Sequence, residues 1–149
     1  MKKIWTYIIS KSLSDEELNL ILKQGEKFVS NWISHENKLD ASFKIYKNRI
    51  IIVEVNEHVF QASGCGIDKL TRFIKEIEII FNIELLNRLL VAYQAEEKIE
   101  VVHSSKIKDL LTENKINPNT IVYNTAIANE QDYNNWEEPI KTSWLKKYI

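Results

Sequence analysis

Ala41-Ser42-Phe43-Lys44-Ile45-Tyr46-Lys47-Asn48-Arg49-Ile50-Ile51-Ile52-Val53-Glu54-Val55 is the stretch on which the fold turns. Ala41, Phe43 and Ile45 alternate with Ser42 and Lys44, the period of a strand with one buried face. Lys47-Asn48 reads as the turn, since Asn tolerates positive φ. Arg49 to Val55 is strand-like too, and within it Ile50 to Val55 is a more continuous apolar run, as expected of a central strand. A hairpin therefore sits near the middle of the first hundred residues.

Working outward, residues 3–9 are aromatic and β-branched and predict a first strand. Ser14 with Glu17 three residues later is a capping box. Leu18, Ile21, Leu22, Phe28, Val29 and Trp32 then recur at helical spacing, with Gly25 on the same face, so a helix is expected over about 15–33. After the hairpin, residues 56–66 read as a connection ending in Ser63-Gly64-Cys65-Gly66. A second helix is predicted over about 67–82 on the stripe Ile67, Leu70, Phe73, Ile74, Ile77 and Phe81, with Asp68 in its first turn. Residues 88–94 read as another strand.

The order β-α-β-β-α-β is the pattern of a ferredoxin-like core, an antiparallel four-stranded sheet with two helices on one face. The expected class is α+β, with that core over 1–94 and a C-terminal extension over 95–149 packed on it as a small α/β subdomain. In the extension, Ile99 to His103 and Thr120 to Tyr123 are strand-like. Ser104 or Ser105 is placed to cap a short helix through Leu111, and Asn117-Pro118-Asn119 marks a turn. Trp136 and Trp144 near the end predict a tail docked on the body.

Composition narrows the function classes. The 149 residues carry 20 Lys plus Arg against 21 Asp plus Glu, a net charge of -1, without the basic excess of a nucleic-acid or membrane-surface protein. No apolar run approaches the roughly 18 residues of a spanning helix, so no membrane insertion is expected. The polar Ser10 and Lys11 follow the first apolar run too soon for a signal-peptide core. A single cysteine, Cys65, makes neither a disulfide framework nor a multi-cysteine zinc site, and a reducing cytoplasmic location is the expectation. His35, His58 and His103 are far apart in sequence, and neither a metal nor another cofactor is expected.

The most chemical segment is Ala62-Ser63-Gly64-Cys65-Gly66-Ile67-Asp68. It sets the cysteine between two of only three glycines, just ahead of a helix. Free backbone N–H groups and the positive end of the helix dipole stabilise a thiolate there. Cys65 is thus a candidate nucleophile or redox sensor, with His58 or His103 as the candidate base. The same residues, Ser63, Gly64, Cys65 and Gly66, are a candidate backbone nest for a phosphate or carboxylate, with Arg72 or Arg49 as counter-charge. The plain alternatives are a packed cysteine, glycines that take positive φ where the chain enters the helix, and an Arg72 paired with Asp68 or Glu76. Likewise Lys44, Lys47 and Arg49 read as a solvated hairpin edge.

Taken together, Ala62-Ser63-Gly64-Cys65, Ile67-Asp68 and Arg72-Phe73-Ile74-Lys75-Glu76 resemble a family of short bacterial proteins of unknown function. Its members often carry the label ABC transporter ATPase. Further stretches of the resemblance are Ala41 to Ile45, Asn48-Arg49, Ala92-Tyr93, Asn114 to Asn117, Thr120 to Val122, Asn124, Asn135 to Glu137 and Ser143-Trp144. Where the family usually has Ser, this chain has Gly66. The resemblance implies a kinship and no activity. No glycine here is followed by Lys and then Ser or Thr, so the phosphate-binding loop that the ATPase label requires is missing.

Three functions follow as expectations. The first is a non-enzymatic binding or regulatory module with a sheet face or edge free for a protein partner. The second is a thiol-dependent enzyme or redox sensor built on Cys65. The third is a binder of a small anionic ligand at Ser63 to Gly66.

Overall fold

The computed structural model describes residues 1–58 and 60–149. Strand β1 (Lys2–Ile8) leads into helix α1 (Asp15–Ser30), followed by the two-residue strands β2 (Ile33–Ser34) and β3 (Asn37–Lys38). The hairpin β4 (Asp40–Tyr46) and β5 (Ile50–Asn56) precedes helix α2 (Gly64–Phe81). The chain then forms β6 (Leu90–Ala95), β7 (Lys98–His103), α3 (Ile107–Thr112), β8 (Ile121–Tyr123), α4 (Glu130–Asn134) and β9 (Glu137–Pro139). It is a mixed α/β fold with antiparallel sheets, and among the described residues no helix is long and apolar enough to cross a membrane.

Local chemistry sets most of these elements. Ser14 caps α1 through a complete capping box: Glu17 N–H donates to its hydroxyl at 3.1 Å, and Ser14 N–H donates to the Glu17 carboxylate at 3.0 Å. Lys47 and Asn48 both take positive φ, 46° and 65°, and close the β4–β5 hairpin as a turn of primed type. Strand β5 is the spine. Ile50, Ile51, Ile52, Val53 and Val55 are all 0% exposed, because both faces of its sheet are covered.

One face, carrying Tyr7, Ile9, Phe43, Ile51, Val53 and Val55, packs under α1 and α2. The other face, carrying Ile4, Ile8, Ile50 and Ile52, packs on a second sheet through Ala92, Ile99, Tyr123 and Trp136. A third apolar cluster, around Val91, Ile107, Val122, Ile140 and Leu145, closes the far side of that second sheet. The layers run helices, sheet, sheet, and then the short C-terminal helical turns.

The expected four-stranded ferredoxin-like sheet does not form. The first sheet has three strands in the order β1-β5-β4, and β6 belongs to a second sheet in the order β7-β6-β8-β9. The reason lies in β6 itself. It makes a six-pair local hairpin with β7, turned at Glu96 with φ 59°. It also buries Ala92 on one face and Val91 on the other, so it needs a layer on each side. The strand placed in the first unit therefore pairs with the C-terminal third.

Candidate functional site

The segment singled out for its chemistry lies at the start of α2, and it is helix rather than loop. Gly64, Cys65 and Gly66 form the first turn, so Asp68 falls beyond it and the first turn holds no acid. No glycine in the described chain has positive φ, which overturns the turn-chemistry reading of Gly64 and Gly66. Gly66 is small for another reason. It is buried against the strap Trp32 to Ser34, where a Cβ would stand 3.0 Å from the Ser34 side chain. The Trp32 indole N–H donates to the Gly66 carbonyl at 2.9 Å, and Lys69 Nζ donates to the Ile33 carbonyl at 2.8 Å. A serine side chain at position 66 would point into this strap.

Ser63 occupies the N-cap position in extended conformation, but its hydroxyl does not cap the helix. It shares a hydrogen bond with the Ser34 hydroxyl, whose oxygen also accepts the Ser63 N–H at 3.3 Å. The N–H groups of Gly64, Cys65 and Gly66 consequently have no acceptor among the described residues, while Ile67 N–H donates to Ser63 O at 2.9 Å. Cys65 is exposed on this turn.

Three of the partners expected around it, His58, His103 and Arg49, make their contacts elsewhere. His58 Nε2 lies 3.4 Å from the Met1 amino group. His103 Nδ1 pairs with the Ser105 hydroxyl at 2.9 Å and accepts the Ser105 N–H at 3.1 Å, so the helix start near 104 is capped by His103. Arg72 is exposed two turns into α2, and among the described residues no ion pair joins it to Asp68 or Glu76. Arg49 is no solvated edge residue and no counter-charge for Cys65. It is 8% exposed and donates from Nη2 to the Ile9 carbonyl at 3.1 Å. Burial lowers the pKa of its guanidinium, and Glu100 nearby opposes that.

Only the fold assembles a second site, from segments far apart in the chain. It is a groove of about 980 Å³ along the outer edge of β1. Trp5 to Ile8 form its floor, Ile67 and Thr71 of α2 one wall, and residues 124–127 another. Leu86, Leu89 and Trp144, exposed at 39%, 57% and 45%, stand around it. Trp144 thus fails to dock as the tail reading expected, whereas Trp136 is buried within the aromatic group of Tyr46, Tyr123 and Tyr133.

The backbone of β1 explains why the groove exists. Ile9 N–H donates to Arg49 O, at the β5 side, so odd-numbered residues of the strand bond inward and even-numbered ones point outward. Ile4 N–H is taken by Ala128 O at 3.0 Å and Ser10 N–H by Glu84 O at 3.1 Å. Between them, the N–H and C=O of Thr6 and Ile8 have no partner among the described residues. The Thr6 hydroxyl reaches across to Thr125 O at 3.0 Å and holds the wall at that distance. The sequence signals for this site were the run Ile4 to Ile9, which has no charge, Pro or Gly, and the leucine-rich stretch Leu85-Leu86-Asn87-Arg88-Leu89-Leu90. Arg88 and Leu89 read as strand, but β6 begins only at Leu90.

Set against protein-family models, curated proteins and solved structures, the chain matches none.

Proposed function

We propose that this chain is a non-enzymatic binding module that holds a protein partner in the groove along β1. The observation that carries the reading is the open edge at Thr6 and Ile8, set in a groove ringed by exposed Leu86, Leu89 and Trp144. Large apolar side chains gathered around unpaired backbone are costly to leave in water and mark a contact surface. Kinship with the short bacterial family is part of the same reading, without its ATPase label. The test is a photo-crosslinking residue placed at Leu89 in the host cell, with Ile79, 81% exposed and outside the groove, as control. A discrete adduct from position 89 that Leu86→Glu abolishes supports the proposal. Absence of any adduct from 89, or equal adducts from both positions, refutes it.

The exposed Cys65 thiol supports a second reading, a thiol-dependent enzyme or redox sensor whose nucleophile sits among free N–H donors. The same donors are what a small-anion site at Ser63 to Gly66 would use. The rate of Cys65 alkylation against pH separates the two thiol outcomes. A midpoint well below about 8.5 supports a stabilised thiolate, and a midpoint at or above it removes the thiol reading.

A further inference from the structure

We infer that the partner of this groove is an extended peptide segment that adds to β1 as the missing fourth strand, with a side-chain carboxylate on Arg88. This rests on the binding-module reading above and names its partner class. The backbone carries the first part. A β-α-β-β-α-β chain whose last strand leaves for another sheet keeps one edge of its first strand unfilled, and here that edge is flanked by contacts that stop short of closing it. The gap runs from Ile4, held by Ala128, to Ser10, held by Glu84. The five residues between them span about 17 Å at roughly 3.3 Å per residue, the length of an ordinary short strand. Thr6 and Ile8 offer two N–H donors and two C=O acceptors, all facing outward, which an incoming strand satisfies and a globular surface does not.

The edge also lacks the guards that a strand carries in its own sequence. Exposed strand edges are usually protected by Lys, Pro, a bulge or a covering element. Ile4-Trp5-Thr6-Tyr7-Ile8-Ile9 has no such residue and pairs in unbroken register with β5. Alternate side chains of an added strand face the two walls of the groove. One wall is Ile67 and Thr71 on α2, and the other is the 124–127 segment.

Charge carries the second part. Two ionic groups line the groove, Arg88 and Glu138. Glu138 accepts from the Thr142 hydroxyl at 3.4 Å. Arg88 makes no hydrogen bond or ion pair among the described residues, so it is the cation left for a ligand. A guanidinium at the rim of a groove lined by both polar and apolar side chains favours a carboxylate bonded two-pronged. The occupant is therefore an extended, β-branched segment with one Asp or Glu.

The test uses the full chain and a displayed library of random ten-residue peptides. Selected peptides are then made synthetically and titrated by fluorescence anisotropy, with amide hydrogen exchange read at Thr6 and Ile8. The inference expects enriched sequences with alternating β-branched residues and an acid. Binding should slow exchange at the Thr6 and Ile8 amides at least tenfold. Arg88→Ala, an exposed change outside the core, should weaken acidic peptides at least tenfold and leave their Asp→Asn or Glu→Gln forms unchanged. N-methylation of alternate peptide amides should abolish binding. Selection of no peptide, binding without protection at Thr6 and Ile8, or equal loss for acidic and neutral forms would each overturn it. A concentration-dependent dimer with those amides already protected would overturn it too, in favour of a second copy. If the Leu89 crosslink persists while peptides fail, strand addition is wrong and the binding module stands. If both fail, the reading of the groove falls with it.

Discussion

Gly25→Ala puts the packing of α1 on the sheet to a direct test. By intrinsic propensity alone, Ala in place of Gly inside a helix adds about 1 kcal/mol of stability. The structure predicts the opposite sign. Gly25 is buried on the face of α1 that lies over β4, and a Cβ there would overlap three atoms of the Phe43 ring. That ring is 6% exposed and packs edge-on to Phe73, with centroids 6.2 Å apart. Phe73 is itself stacked on Phe28 at 4.5 Å, so the way towards Phe73 is filled. Forcing a methyl into a filled core costs about 1–3 kcal/mol, occasionally more, and a direct overlap with an aromatic ring belongs at the upper end. Setting this against the propensity gain leaves a net loss of about 1–2 kcal/mol. Urea unfolding should show a lower midpoint with an unchanged slope. Phe43→Leu should be destabilising alone but should cost less, or stabilise, in the Gly25→Ala background, with a coupling of at least about 1 kcal/mol between these touching positions. A Gly25→Ala protein as stable as the parent, or two changes that simply add, would show that the contact does not set the residue.

Other perturbations follow from the same structure. Gly64→Ala should stabilise by about 0.4–1 kcal/mol, because nothing lies within 4 Å of the added methyl and φ is not positive there; a loss in thermal or urea unfolding contradicts the placement of Gly64 in the first turn of α2. Ser14→Ala should cost about 0.5–2 kcal/mol through the capping box, measured the same way. Burial raises the pKa of the Tyr7 hydroxyl, against a smaller opposing effect of Arg88, and burial first, then the neighbouring Tyr46 and Glu137, raises that of Tyr123. The unfolded chain then releases these protons near pH 10 while the folded chain keeps them. Stability should accordingly fall as pH rises above about 10, by roughly 1.4 kcal/mol per pH unit for each tyrosine. Tyr123→Phe should remove one proton's share of that slope, and a flat stability between pH 9 and 11 would contradict both shifts. At neutral pH the same change should be neutral or mildly stabilising, since the buried Tyr123 hydroxyl makes no well-formed hydrogen bond among the described residues.

The local elements were legible because their causes are local. The capping box at Ser14 and Glu17, the positive-φ turn at Lys47-Asn48 and the central strand at the apolar run Ile50 to Val55 are all written in adjacent residues, and the structure shows each of them. Helix α2 starts at Gly64, three residues ahead of the start its periodicity suggests, for a physical reason. Glycines lower helix propensity, yet Gly66 is required by the close approach of the Trp32 to Ser34 strap, a contact some thirty residues away in the chain. Arg49 was misjudged in the same way, since only the fold brings the Ile9 carbonyl to its guanidinium.

The partner of β6 was the decisive unknown, and it bears on function as well as fold. A strand's own sequence states that it needs neighbours, and how many of its faces are apolar, but not which edge it joins. Leu90 to Ala95 has apolar side chains on both faces, which suits a fourth strand beside β1 and an inner strand of a second sheet equally well. What separates the two is the short hairpin to β7, whose closure needs only a turn at Glu96, whereas pairing with β1 closes a loop of more than eighty residues. The same choice leaves the outward N–H and C=O of Thr6 and Ile8 without a partner among the described residues, in a groove with several exposed apolar side chains. An edge with those properties is unfavourable in water and liable to unwanted strand pairing, which is the physical ground for proposing a segment that fills it.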